Sequence, residues 1–143
     1  MVRRVDVFQE IGNHNRCTLE FTRDDLVPSQ LDQFLGQPLV IEGVVPNGPT
    51  VTIFDGFISG GILEHQLYGG TAISLEGSSQ STKLDRNARE AYYFKKSLAD
   101  VARDLCDKNG IKVSVNGEGS SLLNYVQRGE TDFDFLRRLV RLL

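Results

Sequence analysis

The spacing of apolar residues changes once along this chain, and no single regular structure accommodates both spacings. Before Gly77 they alternate: Val5 and Val7 with Arg4 and Asp6, then Cys17, Leu19 and Phe21 with Thr18 and Glu20. A period of two belongs to strands buried on one face. After Ser97 they form a helical stripe, with Leu98, Val101, Ala102, Leu105 and Cys106 at i, i+3, i+4, i+7 and i+8. The polar run Gly77-Ser78-Ser79-Gln80-Ser81-Thr82 lies between them and reads as a linker or interface loop. The expected fold class is therefore α+β and mainly β. A small antiparallel β-barrel over 1–82 precedes an α/β segment over 83–143 with two amphipathic helices.

Turn chemistry divides the first part further. Gly12-Asn13-His14-Asn15 separates the first two strands as a hairpin, and residues 22–37 read as a surface excursion with a helical turn after Ser29. Leu39-Val40-Ile41 opens a second hairpin. At its tip Asn47-Gly48, flanked by Pro46 and Pro49, predicts a two-residue loop projecting beyond the sheet. Gly56–Ser59 continues the return strand, and Ile62–Tyr68 and Thr71–Glu76 are two more strands around Gly69-Gly70. In the second part Ser97-x-x-Asp100 starts a helix over about 97–109 that Asn109-Gly110 stops. Ile111, Val113 and Val115 alternate as a strand closed by Gly117-Glu118-Gly119. Thr131-x-x-Asp134 starts a helix over about 131–143 that is still apolar at Leu143, so the natural protein is expected to continue.

The search for chemistry returns little. His14, Cys17 and His65 fall short of the four convergent ligands of a zinc site, so no metal is expected. Asp24-Asp25 sits beside Arg23, and Asp132 and Asp134 are explained as acids in the first turn of a helix. Cys106 lies on an apolar stripe, where thiols are inert. The glycines never form a phosphate loop, and Ser78, Ser79 and Ser81 lack a nucleophile elbow. Lys95-Lys96 reads as a solvated approach to the helix. No catalytic residue or cofactor is assigned, and the chain is not expected to be an enzyme. A net charge of −3, without aromatics interleaved among Lys and Arg, argues against a nucleic-acid partner. No run nears the roughly 18 apolar residues of a membrane span.

One stretch is specific. Tyr125-Val126-Gln127-Arg128-Gly129-Glu130-Thr131-Asp132-Phe133-Asp134-Phe135-Leu136-Arg137-Arg138-Leu139 resembles the "YVQ-x-x-ETD-x-x-FL-x-RL" signature of VgrG spike proteins and phage late-control D or baseplate hub proteins. Tyr125, Val126, Gln127, Glu130, Thr131, Asp132, Phe135, Leu136 and Leu139 carry the match. The order upstream agrees, with Asp55-Gly56-Phe57-Ile58 like the family's "x-G-x-[IV]" strand and Tyr92–Leu98 leading into a helix. The resemblance implies a structural subunit of a contractile tail or type VI-like machine: a homotrimeric hub joining tail tube to spike. It further implies synthesis in the bacterial cytoplasm without a signal peptide, then assembly into a virion tail, prophage-derived particle or secretion apparatus. Asn47 and Gly48 at the tip, with Arg137, Arg138 and Arg141 on the last helix, are the candidate subunit or tube contacts. The competing reading is a small ligand-binding β-barrel module for an oligosaccharide or oligonucleotide, motivated by the strand-rich half and the projecting tip.

Overall fold

The computed structural model describes residues 2–23, 28–65, 71–116 and 121–141. Asp24-Asp25, Gly69-Gly70, the Gly117–Gly119 closure and the last two positions of the final helix lie outside them. Two units separate, Met1–Gln80 and Ser81–Leu143.

In the first unit, alternation does what a period of two requires. Strand β1 (Val2–Phe8) pairs antiparallel with β2 (Arg16–Arg23), placing Val5 opposite Leu19 and Val7 opposite Cys17 on one face. β3 (Pro38–Val44), β4 (Thr50–His65) and β5 (Thr71–Ser79) complete an all-antiparallel sheet in the order β1-β2-β5-β4-β3. The sheet curls into a half-barrel, and among the described residues no ladder joins its edges β1 and β3. Register shifts at Ile41/Glu42 and Ile58/Gly60 supply the local bends that curling needs. Central strand β5 buries every second residue, Thr71, Ile73, Leu75, Gly77 and Ser79. Ile58, Ile73 and Leu75 form the core, with Leu31 and Phe34, from a 3-10 turn at Pro28–Gln33 and the residue after it, packed against them.

Three expectations change. Ile62 does not open a new strand: β4 runs unbroken for 16 residues, because a bulge between Ile58 and Gly60 absorbs the irregularity that resembles a break. Gly77-Ser78-Ser79 is no linker but the end of β5. Gly77 is required there by close approach, since a Cβ on it would strike the Cys17 sulfur and lie 2.8 Å from Leu39 Cδ2. The tip loop is longer than two residues. The last ladder pair is Val44 with Thr50, and the turn is closed by Gly48 N donating to Val45 O at 2.9 Å. Pro46 and Asn47 are thus its central residues, Asn47 at φ 60°, the positive angle a type II turn demands after proline.

The second unit pairs β6 (Ala88–Lys96) antiparallel with β7 (Leu123–Thr131). Helices α1 (Leu98–Lys108) and α2 (Asp132–Val140) supply the rest of its core: Tyr93, Val101, Leu105, Phe135 and Leu139, with Ala91, Leu98, Tyr125 and Leu136 packed around them. The rings of Tyr93 and Phe135 stack at 5.6 Å. Both expected helix caps form. Asp100 N donates to Ser97 Oγ and Asp134 N to Thr131 Oγ1, each at 3.1 Å, and α1 ends at Asn109 before Gly110 at φ 66°. The strand expected at 111–115 is absent: these residues have no ladder partner, and alternation without a partner does not make a strand. The partner position beside β6 belongs to β7. Lys95 and Lys96 lead into α1 as expected, but as the end of β6 just before the Ser97 cap, with Lys96 Nζ donating to Asp104 Oδ2 at 2.6 Å.

Replacing Gly77 by alanine should cost about 1–3 kcal/mol, the usual penalty of overpacking, measured by denaturant unfolding. An unchanged midpoint would refute the close approach of β2, β3 and β5.

Candidate functional site

The signature residues converge on one buried carboxylate. Thr131 caps α2, so the next residue, Asp132, occupies the first helical position with its side chain turned inward at 5% exposure. Arg89 of β6 meets it fork to fork, Nε donating to Oδ1 and Nη2 to Oδ2, both at 2.8 Å. Gln127 Nε2 donates to Oδ1 at 2.9 Å and Asn109 Nδ2 to Oδ2 at 3.0 Å. The same amides also tie down backbone: Gln127 Nε2 donates to Glu130 O, and Asn109 Nδ2 to Leu105 O. One carboxylate therefore links β6, the end of α1, β7 and the start of α2. Asp132 is not merely an acid complementing a helix dipole, as the sequence reading had it. Its partners Arg89 and Asn109 escaped that reading because they lie 43 and 23 residues away.

A second ion pair closes the far side of β7. Arg138 Nη2 donates to Glu130 Oε1 at 2.6 Å and to Val126 O at 2.8 Å, and Nε donates to Glu130 Oε2 at 3.2 Å. The guanidinium also stands 5.2 Å from the Phe135 ring centre. Arg138's hydrogen bond, opposed by partial burial and assisted by its charge and by the Arg128 N–H, holds the Glu130 carboxyl below the usual glutamate range. Thr131 Oγ1 donates to Asp85 Oδ1 at 2.9 Å.

The candidate contacts are distributed differently. Arg137 is engaged by Asp134, Nη2 to Oδ1 at 2.6 Å, whereas Arg141 is exposed at the end of α2. Asn47 and Gly48 are exposed at the tip of the β3–β4 hairpin, in the other unit. Cys17 and Cys106 are both buried, and burial pushes both thiols above their ordinary values. Among the described residues no cluster of three or more His, Cys, Asp and Glu could hold a metal ion, and no helix is long and apolar enough to cross a membrane.

No protein-family model matches the chain, and no curated protein matches it in sequence. Solved structures do. The 43 kDa tail protein of prophage MuSo2 from Shewanella oneidensis superposes with a TM-score of 0.70 at 18% identity, over 90% of this chain and 40% of that one. A component of the type VI secretion system of Escherichia coli, described as similar to bacteriophage T4 tail proteins gp27 and gp5, superposes at 0.69 and 17% identity, over 98% of this chain and 42% of that one. The fold is that shared by this prophage tail protein and this secretion component. It is the fold expected from residues 125–139, and the chain spans less than half the length of either neighbour.

Two outcomes follow from this geometry. Arg89→Met leaves the Asp132 carboxylate buried with amide donors alone and should cost about 3 kcal/mol, part of it recovered by adding Asp132→Asn; a loss below about 1 kcal/mol in chemical denaturation would show the knot to be incidental. Glu130 titrates lower folded than unfolded, so its contribution is complete above the ordinary glutamate range and is lost as pH falls through the depressed folded value. Wild type should accordingly lose more stability between about pH 6 and pH 3 than Glu130→Gln does, by roughly 0.2–1 kcal/mol for so exposed a pair. Parallel acid profiles of the two proteins would contradict it.

Proposed function

We propose that this chain is a structural part of a phage-tail-like or type VI-like injection machine, belonging to the hub that joins the tail tube to the spike. The observation that carries this reading is the fold itself, matched along 90–98% of the chain by a prophage tail protein and a type VI secretion component. The signature supports it from a different direction. Gln127, Glu130, Thr131, Asp132, Phe135 and Leu139 each hold the second unit together, so the motif explains its own residue types as a folding device and requires no catalytic role.

The surface also suits an assembly subunit. Val44 is 79% exposed on the β3–β4 hairpin, with Val45 and Val51 beside it, and Tyr92 and Phe94 are 78% and 71% exposed on β6. Apolar side chains presented in this way are the usual material of protein interfaces. In this reading the hairpin tip at Asn47-Gly48 and the exposed end of α2 at Arg141 face neighbouring subunits or the tube. The protein acts by assembling, not by catalysis.

The full-length gene product should form a homotrimer by size-exclusion chromatography with light scattering, and should be recovered with purified tail or secretion particles. A stable monomer at micromolar concentration, absent from such particles, would overturn the proposal.

A further inference from the structure

The chain contains three Asn-Gly pairs, Asn47-Gly48, Asn109-Gly110 and Asn116-Gly117, the dipeptide in which an asparagine amide is most easily lost. Glycine has no side chain to shield its backbone nitrogen or to restrict its turning. That nitrogen attacks the asparagine side-chain carbon, the new N–Cγ bond closes a five-membered imide ring, and the Cγ–Nδ2 bond breaks. The proton given up by the glycine amide leaves with the amino group as ammonia. Water then opens the ring and leaves aspartate or its isomer, isoaspartate, so water is the only co-reactant. The reaction requires an asparagine side chain free to turn and a glycine N–H that is not already engaged.

Asn109 meets neither requirement in the folded chain. It is half-buried at the end of α1, with φ −97° and ψ 5°. Its Nδ2 donates to Leu105 O at 2.8 Å and to Asp132 Oδ2 at 3.0 Å. Both partners only accept, which fixes the side of the amide that carries the amino group. Gly110 N, the nucleophile, donates to Asp107 O at 3.0 Å, and Ile111 N closes the same helix end on Cys106 O at 2.9 Å. The leaving group and the nucleophile are therefore both tied down. The product would fit worse than the reactant. A carboxylate at 109 would set acceptor against acceptor at Leu105 O and charge against charge at Asp132, which is 5% exposed and already paired with Arg89.

We propose that Asn109 is a deamidation site held closed by folding: Gly110 N reaches it only when the second unit opens, and the acid so formed cannot rejoin the Asp132 cluster. A chain that stays open long enough to react is thereby marked permanently and loses its route back to the native arrangement. The inference is independent of the hub reading, since it uses contacts inside the second unit alone.

The test incubates the full chain at mildly alkaline pH, native and in urea, and reads deamidation of the Asn109 peptide by mass spectrometry. Asn109 should react at least about tenfold more slowly in the native chain than in urea, because reaction waits on opening. It should react faster in native Arg89→Met than in native wild type. Asn109→Asp stands in for the product and should unfold at lower denaturant than wild type. Adding Asp132→Asn should raise that midpoint again, because the new amide can donate to the new carboxylate. Equal rates in native and unfolded wild type, no acceleration in Arg89→Met, an unshifted midpoint for Asn109→Asp, or a double variant no more stable than the single would each overturn the proposal.

Discussion

The second unit depends on one carboxylate. A two-stranded ribbon and two short helices bury little apolar surface for their size, and a hairpin of that kind is marginal by itself. Asp132 compensates by being shared. Arg89, Gln127 and Asn109 come from three other elements, and each can reach the carboxylate only when its own element is in place. Taking a charge out of water is costly, and here three side chains together offset it, although the buried Gln127 Oε1 itself has no partner among the described residues. The cluster therefore selects one arrangement more than it adds stability, and the stacked Tyr93 and Phe135 beneath it supply the apolar contact.

The first unit solves a different problem with smaller side chains. A curled sheet brings its inner faces close, so the core must be thin where strands approach. Gly77 and Gly56 mark those places: a Cβ on Gly56 would strike the Ser78 carbonyl and lie 2.8 Å from the Phe54 ring. Glycine and bulges together let a five-stranded sheet bend without closing. Phe54, Ile73 and Cys17, all nearly inaccessible, fill what remains.

Under the proposed function, a subunit built this way suits a mechanical role. Its polar groups of highest consequence are spent on internal cohesion. Among the side chains it leaves exposed are large apolar and aromatic ones: the valines of a projecting hairpin and two rings on β6. The fold shared with a prophage tail protein and a type VI secretion component accords with that division.

Local signals carried part of this structure without help. The strand alternation around Val5, Val7, Cys17 and Leu19, both helix caps and the stop at Asn109-Gly110 depend on neighbours within a few residues, so they could be read directly, as could the resemblance in 125–139. Tertiary pairing decided the rest. Ile111, Val113 and Val115 alternate as a strand should, yet no described strand pairs with them, whereas β6 was hidden behind its lysines and became a strand because β7 lies opposite. Gly77 resembled a linker residue until close packing against Cys17 made it a core position. The sequence by itself determined where both helices begin, where the first one ends and which class of fold results. Only the folded chain decided that Asp132 joins four elements and that Arg138 binds both Glu130 and the Val126 carbonyl, because those roles rest on contacts that local spacing does not encode.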